Sequence, residues 1–148
     1  MTLALGMILI MGIATRARRD VAPETSYRTL AKQLSPYLRP GCIVGSYRHN
    51  LHSIPFYTGF REALVSYRGE LAPFGDGPDA AASFINSDDE LRRRWSSTQC
   101  FVLVANRKDL RVLETLTPPP VIVGCEGKKV ALVNKDARPD AACATEVY

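Results

Sequence analysis

Apolar and polar positions alternate in blocks along the chain, and each block predicts one element. From Ser26 the apolar residues Tyr27, Leu30, Ala31, Leu34 and Leu38 recur at three- and four-residue steps, the spacing of one helix face. Pro23 and Glu24 suit the start of that helix, Pro36 should end or kink it, and Arg39-Pro40-Gly41 reads as a turn. Cys42 to Tyr47 then reads as a buried strand. It leads through a polar turn and a kinked segment, Ile54-Pro55-Phe56-Tyr57-Thr58-Gly59, into a second strand, Glu62 to Tyr67. A tight turn at Arg68-Gly69-Glu70 leads to a short strand at Leu71. Residues 73–79 are a loop rich in proline and glycine, and Ala80 to Ile85 is expected to form a helical turn.

The second half is more regular. Ser87 followed by Glu90 is a capping box, in which each side chain satisfies a backbone N–H that the helix start leaves open. Asp88 and Asp89 suit the positive end of that helix, and Leu91 and Trp95 share its inner face. Cys100 to Ala105 is an unbroken apolar run of strand length, the pattern of a strand buried on both faces in the middle of a sheet. Asn106 should cap the next helix, with Leu110, Leu113 and Leu116 in its core stripe and Pro118 to Pro120 as its stop. Val121 to Cys125 and Lys129 to Asn134, joined through Gly127, read as a β-hairpin. The expected fold is therefore one α/β layered domain, with a mixed sheet of about five to six strands flanked by helices and ending in the hairpin. The soluble domain is expected over residues 21–135, with a loosely ordered tail over 136–148.

The first block breaks this pattern. Thr2 to Ala14 is apolar on every side and is followed by Arg16, Arg18 and Arg19. A spanning helix needs ~20 apolar residues, and a signal peptide carries its charge before the apolar run, not after it. Residues 1–20 therefore read as the end of a transmembrane helix with its basic flank. An ordinary buried element at the N-terminus is the alternative.

Composition narrows the function classes. A chain of 148 residues with 46% apolar and 23% charged residues holds one folded core and is not disordered. The formal charge of +4 is too weak and scattered for nucleic acid as a partner; half of it comes from the arginines near the N-terminus set against Asp20. Cys42, Cys100, Cys125 and Cys143 form no CxxC pair, which argues against a zinc site. The favoured reading makes them buried thiols, with a disulfide between neighbouring strands as the alternative.

No self-contained active site emerges. His49 and His52 are spaced HxxH with no carboxylate between them, and read as a polar surface turn rather than metal ligands. Ser46, Ser53 and Ser66 lack a GxSxG setting, and no phosphate loop is present. Asp88 and Asp89 are accounted for by capping, Asp76 and Asp79 by loop solvation, and Arg92 to Arg94 by a solvated helix face. No metal or other cofactor is expected. Residues 47–61 stand apart, with aromatic rings and arginines gathered around Pro55, a composition suited to sugar or lipid-phosphate contact. The alternative is that Pro55, Phe56 and Tyr57 close one end of the core.

The same segment carries a resemblance. Ser46-Tyr47-Arg48, then Ile54-Pro55-Phe56-Tyr57-Thr58-Gly59, then Leu64-Val65-Ser66-Tyr67, resembles the C-terminal domain of bacterial aminoarabinose-transferase-like glycosyltransferases. These belong to the dolichyl-phosphate-mannose protein mannosyltransferase superfamily. The likeness extends over about residues 25–135; here Phe60 stands between the motif glycine and Arg61. The resemblance implies a non-catalytic periplasmic domain of an inner-membrane enzyme that moves a sugar from a polyprenyl-phosphate donor to a lipid such as lipid A, or to another envelope acceptor. Its partners would be the membrane domain of the same polypeptide or complex and the lipid-linked sugar or acceptor. The family's catalytic loop has no counterpart in this chain, so no catalytic residue is assigned. Tyr47, Arg48, Phe56, Tyr57 and Arg61 are the candidate substrate contacts. A free-standing binding domain without enzymatic activity is the alternative.

Overall fold

The computed structural model describes residues 26–69, 83–135, 140 and 143. The apolar run 2–14 with its basic flank, the strand expected at Leu71, the loop at 73–79 and most of the tail lie outside the described residues. The elements in order are α1 (Arg28–Leu34), a 3-10 turn (Ser35–Tyr37), β1 (Ile43–Tyr47), α2 (Ser53–Thr58), β2 (Glu62–Val65) and β3 (Phe84–Ile85). They continue with α3 (Asp88–Trp95), β4 (Phe101–Asn106), a second 3-10 turn (Arg107–Asp109), α4 (Leu110–Leu113), β5 (Val121–Glu126) and β6 (Lys129–Val133).

The six strands form one mixed sheet in the order β3-β2-β1-β4-β6-β5. Strands β3, β2, β1 and β4 run parallel, whereas β6 lies antiparallel to β4 and β5. The α/β layered fold with its final hairpin is thus present, and β4 has neighbours on both sides, as its unbroken apolar run requires. All of Phe101 to Ala105 is fully buried.

Alternate residues of the strands face opposite layers. One layer holds α1 and α2, whose Leu30, Leu34 and Ile54 pack on Val44, Val102 and Val104. The other holds α3 and α4, whose Leu91, Trp95, Leu110 and Leu113 pack on Tyr47, Val65, Phe101 and Leu103. Gly45 faces this second layer, where a Cβ would stand 3.1 Å from Phe101 and 3.2 Å from Leu103 and Val65. A side chain at this position would press on all three, and each would have to give by a few tenths of an ångström.

Several expectations change. The Ile54–Gly59 segment is not a kink but the body of helix α2. Pro55 sits in the first turn, where its missing N–H costs nothing, and Gly59 closes the helix at φ 71°, donating its N–H to Pro55 O at 2.8 Å. Residues 84 and 85 are strand rather than helical turn, because Phe84 and Ile85 pair in parallel with Leu64 and Val65 along the edge of the sheet. The helix after β4 opens as a 3-10 turn, and Asn106 makes no side-chain cap. Ser87 does cap α3, with its Oγ accepting from Glu90 N at 3.2 Å, but the Glu90 carboxylate reaches Asn86 N at 3.0 Å instead of Ser87's own N–H.

The largest correction concerns the cysteines. They are not free thiols: Cys42 is bonded to Cys100, and Cys125 to Cys143. Cys42 and Cys100 lead into adjacent parallel strands, and Ile43 N donates to Cys100 O at 2.9 Å, so the bridge joins two strand entrances that the sheet has already placed side by side. In the tail, Cys143 is buried and Asp140 N donates to Ile122 O at 2.9 Å, which holds these two residues against β5.

Candidate functional site

The chain runs from β1 outward to β2 and β3, then crosses back to β4 on the other side of β1. The carboxyl ends of β1 and β4 therefore flank the point where the strand order reverses, the place where open α/β sheets form a crevice. Arg48 follows β1 directly. It adopts φ 58°, and Ser66, which follows the neighbouring strand β2, adopts φ 51°. Both are left-handed conformations uncommon for non-glycine residues, and such outliers gather at binding and catalytic sites. Each is held by the ladder: Arg48 N donates to Val65 O, and Ser66 N to Ile85 O, both at 2.8 Å.

The side chains at this end of the strands form one polar network. Asp88, at the start of α3, accepts from Ser66 Oγ at 2.7 Å and from Tyr47 OH at 3.1 and 3.2 Å. The Arg48 guanidinium lies 4.9 Å from the centroid of the Tyr47 ring, 3.5 Å from Asp88 Oδ2 and 3.9 Å from Asp109 Oδ1. Burial pushes the Tyr47 phenol up to about 12, and the neighbouring Asp88 carboxylate adds to the effect, so the group remains a donor at physiological pH. The other oxygen of Asp109, Oδ2, is buried with no hydrogen-bond partner among the described residues. The network holds a half-exposed cation rigidly over a ring and between two carboxylates.

A second set of titratable groups lies beside it. His49 shares a short hydrogen bond with Tyr47 O through Nδ1, while its Nε2 is buried and without a partner among the described residues. Burial lowers the His49 imidazole to about 4, helped by the positive charge of Lys129. Burial raises the Glu62 carboxyl to about 7, against the N–H of Leu51, which Glu62 accepts at 3.2 Å. Lys129 is itself buried, and burial lowers its ammonium.

The signs of these shifts oppose one another. Glu62 keeps its proton in the fold above the pH at which the unfolded chain releases it, so its contribution falls as pH rises from about 4.5 to about 7. His49 stays neutral in the fold below the pH at which the unfolded chain takes up a proton, so its contribution falls as pH drops from about 6.5 to about 4. The two slopes offset where the windows overlap. Glu62→Gln removes one of them, and its urea midpoint should then rise with pH between about 4 and 6.5, steeper than that of the parent chain. An unchanged pH profile would mean that Glu62 ionises as an ordinary carboxyl.

The expected contact residues thus fall into two groups. Tyr47 and Arg48 meet at the carboxyl end of β1, with Tyr47 fully buried beneath the guanidinium. Phe56 and Tyr57 meet on the outward side of α2, with their rings edge to face at 5.1 Å and exposures of 80% and 43%. Arg61 is exposed just before β2. Sequence reasoning missed Asp88 and Asp109 as partners of Arg48, and Ser66 as a partner of Asp88. Asp88 was fully explained by helix capping, and nothing local marks Asp109. Among the described residues, no group of three His, Cys, Asp or Glu side chains is arranged to hold a metal ion, and no helix is long and apolar enough to cross a membrane. At the opposite, amino end of the parallel strands a cavity of about 840 Å³ opens over the Cys42–Cys100 bridge, with Tyr37, Arg39, Pro118 and Lys135 in its walls.

No protein-family model and no curated protein sequence matches the chain. Two solved structures share its fold: ArnT from Cupriavidus metallidurans in the apo state, and the same protein bound to undecaprenyl phosphate. Each superposes with a TM-score of 0.74 at 21% identity, over 93% of this chain and 25% of the ArnT chain. The fold expected from the Ser46–Tyr67 resemblance is therefore found in ArnT, and the chain spans about a quarter of that protein's length.

Proposed function

We propose that the chain is the extracytoplasmic α/β domain of a bacterial inner-membrane glycosyltransferase that moves a sugar from a polyprenyl-phosphate donor to a lipid or other envelope acceptor. The observation that carries this reading is the superposition of nearly the whole chain on one quarter of ArnT, a protein also solved with undecaprenyl phosphate bound. The two disulfides support it independently, because such bridges form and persist in oxidising compartments such as the periplasm. In this reading the domain is not catalytic. It covers the membrane domain, and Arg48, Phe56, Tyr57 and Arg61 help position donor or acceptor, while Tyr47 holds the Arg48 guanidinium in place. Arginine suits the phosphate of a lipid-linked donor, and exposed aromatic faces suit a sugar or a lipid headgroup.

The test is sugar transfer by the full-length enzyme carrying Arg48→Ala or Tyr57→Ala. Loss of one charge-assisted contact should lower transfer about tenfold or more in the Arg48 variant, with folding preserved. Parent-like transfer in both variants would leave these residues with a packing role only.

A further inference from the structure

At the carboxyl end of the parallel strands the fold gathers cations from three separate segments. The β5–β6 hairpin tip supplies Lys128, the 3-10 turn after β4 supplies Arg107 and Lys108, and the start of α1 supplies Arg28. Backbone bonds fix them together. Arg107 N donates to Lys128 O at 2.9 Å, and Arg107 Nε to Gly127 O at 3.2 Å, which fastens the 3-10 turn to the hairpin tip. Leu30 N donates to Glu126 Oε2 at 2.8 Å, which brings the first turn of α1 to the same tip. Arg28, Lys108 and Lys128 are exposed. Three carboxyl groups lie among these cations: Glu126, which accepts from Leu30 N, Asp109, only 8% exposed and facing Arg48, and Glu62, whose proton burial holds up to about pH 7.

The chain enters the domain at this same end. Tyr27, just ahead of α1, has its ring 6.0 Å from Lys129 Nζ. Eleven residues, 15–25, separate Ala14 at the end of the apolar run from Ser26. Fully extended, they reach no farther than about 40 Å. A membrane that held residues 2–14 would therefore keep this end of the domain within about 40 Å of its surface.

We propose that the end formed by Arg28, Arg107, Lys108 and Lys128 docks on an anionic lipid headgroup surface. The inference rests on the reading of residues 2–14 as the end of a membrane span. Each exposed cation near a negatively charged bilayer adds to the attraction, which decays within a Debye length and so depends on close approach and low salt. The tether keeps the separation to a few Debye lengths at most, and the hairpin tip supplies charges on a rigid frame. Docking here would also set the Arg48 network, at the same carboxyl end of the strands, beside the headgroups.

The test uses the full 148-residue chain and co-sedimentation with vesicles. Vesicles of phosphatidylglycerol with phosphatidylethanolamine are compared with neutral phosphatidylcholine vesicles, so that binding through the apolar run is common to both. Binding to the anionic vesicles should exceed binding to the neutral ones, and the excess should vanish in about 1 M salt. Lys108→Glu with Lys128→Glu should cut the excess about tenfold or more. Arg93→Glu, an exposed charge on α3 outside the patch, should leave it unchanged. Equal binding to the two vesicle types, an undiminished excess in the double variant, or an equal loss in the Arg93 variant would each overturn the patch. None of these results would touch the glycosyltransferase reading, which the transfer assay decides separately.

Discussion

Replacing both Cys42 and Cys100 with alanine lowers the stability of the domain by about 4 kcal/mol, the chain-entropy effect of opening a loop this long. The bridge closes a segment with a sequence separation of 58, whereas Cys125–Cys143 closes one of 18. Loop-closure entropy grows with the logarithm of length, so the first bridge contributes more, although the second is only about 1 kcal/mol behind. A domain of this size has a total stability of only about 5–15 kcal/mol, so losing either bridge is a large change. Urea unfolding followed by circular dichroism, with and without a reductant, measures both. The parent chain should lose midpoint on reduction, and the double alanine variant should lose less on further reduction, because one of its bridges is already gone. A reductant that leaves the parent's midpoint unmoved would show that the bridges do not form.

Trp95→Ala costs about 3–5 kcal/mol, the usual cost of emptying a large aromatic site in a core. Trp95 is fully buried on the inner face of α3, with its ring 5.7 Å from that of Phe101. Its Nε1 donates to Pro118 O at 2.7 Å, so truncation also strands a carbonyl at the end of the α4 connection. Its own carbonyl accepts from Asn134 Nδ2 at 2.8 Å, and Asn134 Oδ1 accepts from Phe101 N at 2.9 Å. Trp95 thus stands where α3, β4 and the end of β6 meet. Trp95→Phe keeps most of the volume and should cost less than half as much as the alanine change. Because Trp95 is the only tryptophan, the unfolding midpoints must be read by circular dichroism rather than intrinsic fluorescence. A cost below about 1 kcal/mol for Trp95→Ala would mean that the three elements do not depend on it.

What could be read from the sequence was local. The start of α3 was legible because Ser87 and Glu90 lie within one turn of each other. Strand β4 was legible because a strand covered on both faces has no polar positions, and the β5–β6 hairpin because its turn is short and contains Gly127. Features that depend on distant partners were not. Phe84 and Ile85 carry no strand pattern of their own and become a strand only by pairing with β2. The Cys42–Cys100 bridge could not be chosen until β1 and β4 were known to be neighbours. Asp88 reads as a helix-start residue, and only the fold brings it to Tyr47, 41 positions away. Helix α2 is a different case: Pro55 in the first turn and Gly59 just past the end form a helix signature, but the aromatic residues between them drew the reading toward a kink.

The carboxyl end of the strands around Arg48 joins local and distant features. A strained backbone, a cation held by a ring and two carboxylates, and a topological switch point coincide there. The Phe56–Tyr57 pair, on which the resemblance also depended, lies apart from this network on the outer side of α2, so the two groups can be tested separately.

The measurement that bears most directly on the central claim is the size and location of the polypeptide carrying this chain in its source cells. An antibody raised against the 16.3 kDa chain would be used to probe fractionated cells. The account predicts a single band several times larger, in the inner-membrane fraction, with the epitope open to protease from the periplasmic side. A band of the chain's own mass in the soluble fraction would contradict it.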